Sequence, residues 1–154
     1  MKTIKTLRGT KVLWLRSHDR DPGATKLADK HYSRKHIGAK EGFVGPGEKL
    51  VLLSPDGKAL FVWLRCKPEY RLDGQAGINC TMFRNEGSEL SSTLILAAEQ
   101  WALHRWPQEK RLYTYVKKSA VQSSRPGWCF LKAGWRQAGQ NKTGKLLLFE
   151  KVLA

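Results

Sequence analysis

The stretch KLVLLSPDGKALFVWLRCK, residues 49–67, sets two apolar runs rich in strand formers on either side of Ser54-Pro55-Asp56-Gly57. Proline followed by Asp-Gly makes a tight turn, so the segment predicts a β-hairpin and commits the chain to a sheet. Around it, helix and strand patterns alternate. KVLWLR, residues 11–16, predicts a strand. Asp21 reads as a helix N-cap with Pro22 in the first turn, where its missing N–H costs nothing. Ala24, Leu27, Ala28 and His31 then recur at helical spacing, with Gly38 as the stop. Residues 77–83 predict another strand. It leads through a turn at Gly87 into a helix whose face carries Leu90, Leu94, Ala97, Ala98 and Trp101 and which Pro107 ends. Residues 111–116 predict a strand, WCFLKAGW (128–135) a short helix closed at Gly134, and KLLLFEKVL from Lys145 the last strand. With no internal repeat or low-complexity linker, residues 1–154 read as one α/β or α+β domain with a mixed sheet.

Charge adds a partner to this architecture. Twenty-eight Lys and Arg against thirteen Asp and Glu leave a net +15. Residues 1–50 carry 12 basic and 5 acidic groups, residues 51–100 carry 5 and 6, and residues 101–154 carry 11 and 2. The excess therefore sits at the two ends, and it predicts attraction to polyanions, with DNA first. A basic soluble protein, or one that meets anionic lipid or ribosomal RNA, has the same composition. Cys66, Cys80 and Cys129 are an odd number with no close pair, which points to reduced thiols rather than a disulfide framework or a metal site. The N-terminus, MKTIKTLRGTKVLWL, has too short an apolar run for a signal peptide, and no apolar stretch reaches about 18 residues. A cytoplasmic protein, of a bacterium or a phage-infected host, is expected.

The element order resembles that of the GNAT N-acyltransferase superfamily over most of the chain, roughly residues 11–153, and two local motifs strengthen the likeness. In that family the fourth strand ends in Arg/Gln-x-x-Gly-x-Gly/Ala, whose amides cradle the pyrophosphate of acetyl-CoA. Arg84-Asn85-Glu86-Gly87-Ser88-Glu89 supplies the Arg and the first Gly, with Glu89 in place of the last small residue. A carboxylate there repels pyrophosphate. The stretch from Trp128 to Trp135 looks like the family's late helix ending in Tyr-x-x-x-Gly-Phe, with Phe130 where the tyrosine stands. That tyrosine often protonates the departing thiolate, and a phenyl ring has no proton to give. The resemblance implies a single GNAT-like domain with a mostly antiparallel mixed sheet flanked by helices, acetyl-CoA or another acyl-type donor, and altered donor chemistry. Within the superfamily, His31-Tyr32-Ser33-Arg34, the junction from Arg84-Asn85-Glu86 to Ser91-Ser92, and the small basic format also resemble the Mom-like proteins of bacteriophages. Those enzymes add a carbamoylmethyl group to the amino nitrogen of adenine in DNA.

Candidate residues gather in three places. In HYSRKH, His31 or Tyr32 could move a proton while Arg34 and Lys35 hold phosphates; equally, His31 and Tyr32 could cap the core beside solvated cations. At the junction, Arg84, Asn85, Gly87, Ser88, Ser91 and Ser92 are candidates to bind an anionic cofactor and Glu86 to act as base. The same residues could simply cap a helix, with Ser88 or Ser91 accepting from its amides and Glu89 favouring its dipole. Around the last helix, Ser123, Ser124, Arg125, Trp128 and Lys132 combine the ingredients for a phosphate contact and a stacked base; for Trp128 and Trp135 a place in the core is favoured, as it is for Trp63 and Trp101. Tyr115, beside Lys117 and Lys118, is the phenol placed to replace the acid missing at Phe130, or a surface tyrosine. Together these predict a transferase acting on a DNA base amine. A conventional acetyl-CoA-dependent N-acetyltransferase, or a non-catalytic nucleic-acid-binding module, are the alternatives.

Overall fold

The computed structural model describes residues 3–6, 9–34, 42–71, 73–118 and 126–153. Lys35, His36, Gly38, Ser123, Ser124 and Arg125 lie outside them. A two-stranded hairpin, β1 (Thr3–Thr6) with β2 (Gly9–Val12), precedes the main sheet. Among the described residues that sheet has seven strands: β3 (Leu15–Ser17), β4 (Glu48–Leu53), β5 (Ala59–Arg65), β6 (Ile78–Asn85), β7 (Arg111–Lys117), β8 (Arg136–Gln140) and β9 (Leu146–Val152). Their spatial order is β3-β4-β5-β6-β7-β9-β8. Every pairing is antiparallel except β6 with β7.

The hairpin β4–β5 forms as its sequence predicts, from Leu53 paired with Leu60 down to Glu48 paired with Arg65. Ser54 fixes its turn: its hydroxyl oxygen accepts from the amides of Lys58 and Ala59, and it bonds Asp56 Oδ1 at 2.7 Å. Gly57 supplies the positive φ, +73°, that an L side chain resists. Helix α1 (Pro22–Ala28) starts at Asp21, whose carboxylate accepts from the Gly23 amide at 3.0 Å and from the Ser17 hydroxyl at 2.6 Å. Its buried face, Ala24, Leu27 and Ala28, packs with Val51, Leu60, Val62, Leu64 and Met82 on one side of β4–β6.

Helix α2 (Ser91–Arg105) covers the opposite side with α3 (Trp128–Lys132), and the larger core there runs across the sheet from Leu50 and Trp63 to Phe149. The indoles of Trp14 and Trp63 donate to the carbonyls of Leu94 and Ala98, each at 2.9 Å, and so tie α2 to the sheet. A second tie is ionic. Glu99, on α2, accepts from Lys151 Nζ at 2.7 Å and from the Trp135 indole at 3.0 Å, joining α2 to β9 and to the end of α3.

Several expectations need revision. The run at residues 11–16 is divided between β2 and β3, because the buried Leu13-Trp14 step turns inward between them. Helix α1 ends at Ala28 rather than running on past His31; single turns follow, with the Lys30 and His31 amides reaching carbonyls three residues back. Trp128 is 44% exposed while Trp135 and Trp63 are in the core. β8 was not predicted. Among the described residues no helix is long and apolar enough to cross a membrane.

Candidate active site

The one parallel pairing opens a cleft. β6 and β7 are laddered only from Ile78–Leu112 to Cys80–Thr114. At the next residue β6 carries a bulge: Trp63 of β5 pairs with Cys80 and Val62 with Met82, leaving Thr81 as the extra residue. Bulges bend a strand and interrupt its ladder. Beyond this point the facing edges of both strands have no mutual partners, and the gap is a cavity of about 290 Å³. The turn after α1 supplies Lys30, His31 and Tyr32 to its wall, β6 supplies Phe83 and Arg84, β7 supplies Tyr115 and Val116, and α3 supplies Cys129 and Phe130.

His31 is half-buried with its ring against that of Tyr32, the centroids 4.4 Å apart. Its Nδ1 receives the Ser33 amide at 3.2 Å and lies 2.8 Å from the Ser33 hydroxyl. An amide only donates, so Nδ1 carries the lone pair and the neutral ring holds its proton on Nε2. Burial, helped by the positive charge of Arg84, lowers the imidazole pKa to about 4. The Tyr32 hydroxyl donates to the free edge of β7, at the Tyr115 carbonyl, at 2.9 Å. Burial, and then the nearby Cys80 thiol, raise that phenol to about 12. Lys117 Nζ stands 5.8 Å from the Tyr32 ring centre. The Tyr115 hydroxyl donates to Asp73 at 3.0 Å; burial first and this bond second hold the phenol protonated.

At the other end of the cleft, Glu86 is gripped by Arg84 Nε at 2.6 Å and Lys30 Nζ at 3.2 Å, and both bonds depress its pKa. A carboxylate so held is a weaker base than a free one. Asn85 organises the turn: its amide nitrogen donates to the Glu89 carbonyl and to Ser91 Oγ, and its oxygen accepts from the Gly87 amide. Helix α2 then starts without a side-chain cap. Leu90, 72% exposed, holds the cap position. The expected Ser88 or Ser91 cap is absent because Ser91 already belongs to the first turn and accepts from Asn85, while Ser88 is exposed in the turn. The first-turn amides of Ser91 and Ser92 are thus left without a side-chain acceptor. Glu89 is engaged instead by Lys11 of β2.

The structure brings His31, Tyr32, Arg84 and Tyr115 to one cleft, with Glu86 held against Arg84 and Lys117 against Tyr32. It leaves Lys118 exposed beyond the end of β7 and sets Lys132 5.6 Å from the ring of the exposed Trp128 on the outside of α3. Arg34 is buried against Asp29. Phe130 is a core residue, packed edge-on to Phe83 and Trp135. Sequence reasoning did not select Lys30 or Asp73, since each is joined to the site only by a contact distant in the chain, Lys30 to Glu86 and Asp73 to Tyr115.

No protein-family model matches this sequence, and no curated protein gives a significant match. Among solved structures, an acyl-CoA N-acyltransferase from Pseudomonas aeruginosa superimposes with a TM-score of 0.59 at 15% identity, over 90% of this chain and 98% of that one. The fold is GNAT-like. A structure described as a GNAT-family acetyltransferase from Bordetella pertussis aligns over 99% of this chain and 100% of its own, with 11% identity and a TM-score of 0.49. At 15% identity the likeness concerns architecture alone and does not reach the bacteriophage DNA-modifying branch.

Proposed function

We propose that the chain is an acyl-CoA-dependent N-acyltransferase that acylates an amine in the cleft between β6 and β7. The observation that carries this reading is that β6, whose Phe83 and Arg84 line the cleft, leads through the turn at Gly87 into the uncapped start of α2. Free first-turn amides and the positive end of a 15-residue helix suit an anion. Phe83, Val116 and Phe130 give the neighbouring cleft the apolar lining that a pantetheine arm requires. Glu89 departs from the family pattern, but Lys11 neutralises it, so the residues present fit the group. Ser91, Ser92 and the Gly87–Ser88 turn would hold its phosphates, and the group would supply an activated thioester.

The protein's own part follows from the protonation states. Tyr32 keeps its proton throughout the neutral range and stands in the cleft, so it is the donor for a departing thiolate in place of Phe130 once its hydroxyl turns from the Tyr115 carbonyl. Tyr115 serves by presenting its carbonyl to Tyr32, which orients that phenol. His31 offers an Nε2–H donor. With Glu86 neutralised by two cations, the amine is required to arrive uncharged, its proton passing to solvent. Calorimetry with acetyl-CoA tests the reading: saturable binding is expected, and its absence would remove the proposed donor.

A second reading, in which the amine belongs to a DNA base and the group is carbamoylmethyl-like, is favoured by the +15 charge, with Lys117 beside Tyr32 and Lys132 on the outside of α3 as its phosphate contacts. Nucleosides from DNA of cells expressing the protein would then show a mass increase. Unaltered nucleosides alongside acetyl-CoA binding would confine the substrate to other amines.

A further inference from the structure

Arg34 differs from the other cations described here in being inside the protein. Its side chain keeps only 6% of its surface exposed, and Nε donates to Asp29 at 2.8 Å. Nη2 is buried and has no hydrogen-bond partner. That nitrogen has lost its hydration with no hydrogen bond in exchange, although Asp29 offsets the charge, and such groups mark function or a place completed by a bound species.

There is room for one. Arg34 lines a cavity of about 340 Å³ with Ser33, Phe43, Val44 and Met82. The Phe43 ring lies 6.0 Å from the guanidinium carbon and covers one side of it. Met82 lines this cavity and the cleft alike, so the two adjoin. Among the described residues the charged groups at or beside the two spaces are Arg34, Lys30, Arg84 and Lys117 against Asp29, Glu86 and Asp73, an excess of one positive charge.

We infer that this cavity binds a small oxyanion, a carboxylate or a phosphate, received by Arg34 Nη2 and carried by the acceptor molecule whose amine enters the adjoining cleft. Identifying the carrier as the acceptor rests on the acyltransferase reading; the anion site itself does not. A guanidinium edge matches an oxyanion in geometry and charge, which an ammonium does only as a point charge. Because Arg34 is buried, its ligand is a group that enters the fold rather than a phosphate passing over the surface.

Met82 is one of two methionines, the other being Met1, so methyl-labelled methionine gives a reporter inside the site, assigned with Met82→Leu. The full chain is titrated with acetate and, separately, inorganic phosphate at constant ionic strength and without acetyl-CoA. A saturable shift of the Met82 methyl is expected with at least one anion. Arg34→Lys keeps a cation for Asp29 and should weaken that binding by about tenfold or more. Response to acetate alone identifies a carboxylate, to phosphate alone a phosphate group. A Met82 signal that moves with neither anion, or moves alike in the wild type and Arg34→Lys, overturns the inference whether or not acetyl-CoA binds.

Discussion

A neutral imidazole in a cationic cleft has a thermodynamic signature. Between pH 6.5, the ordinary histidine value, and about 4, the unfolded chain binds a proton at His31 that the folded chain refuses. Unfolding is therefore favoured as pH falls through that window, and the effect is absent above it. Urea unfolding should show the wild type losing more stability from pH 7 to 4 than His31→Gln; parallel losses would mean the ring is not held neutral. At this scale the sequence was readable where a residue acts on its own neighbours, as with Asp21 capping Gly23 and Ser54 folding back on Lys58 and Ala59. It was unreadable where a partner lies far along the chain. HYSR places Arg34 among exposed cations by composition, and only the turn that brings it against Asp29 and Phe43 takes it inside.

Among the elements, α2 holds the clearest trade between stability and binding. An acceptor at its cap position would satisfy an amide that is now free, so Leu90→Asp should stabilise the fold by about 1 kcal/mol in chemical denaturation. The same carboxylate would compete with a phosphate for those amides, and calorimetry should show weaker acetyl-CoA binding by the stabilised variant. The reverse change, Glu89→Gly, removes a carboxylate from the junction and should strengthen it. Gly127 is a fixed point of α3. Its φ is +81° and a Cβ there would lie 2.2 Å from the Phe149 ring, so Gly127→Ala should be destabilised through both strain and packing, read as a lower urea midpoint. The elements legible in the sequence were those with strong periodicity and punctuation: the Pro-Asp-Gly hairpin, α2 stopped before Pro107, and the apolar β9. β8, RQAGQ, is an exposed edge strand with no apolar alternation and a bulge against β9, and so carried no signal. The length of α1 was overestimated because Ser33 gives its amide to His31 Nδ1, a local bond that competes with helical pairing.

For the molecule as a whole, the tie between Glu99 and Lys151 holds α2 to a strand on the far side of the cleft. Lys151→Met leaves the buried carboxylate without its cation and should cost about 3 kcal/mol, most of it recovered when Glu99→Leu is added; a chemical denaturation cycle measures both. The surplus of positive charge belongs to this scale too. If DNA is a partner, Lys117→Gln and Lys132→Gln should each reduce the slope of log affinity against log salt by about one. Unchanged slopes would mean that these two lysines do not meet phosphate. The three-pair ladder between β6 and β7 also makes the sheet mechanically uneven. On the α2 side the larger core crosses that line and binds both halves, whereas the core beneath α1 stops at β6. Under load the sheet should part like a book whose spine is α2, opening first toward α1, where His31 and Tyr32 stand. The bond from the Tyr32 hydroxyl to the Tyr115 carbonyl is a clasp across those pages.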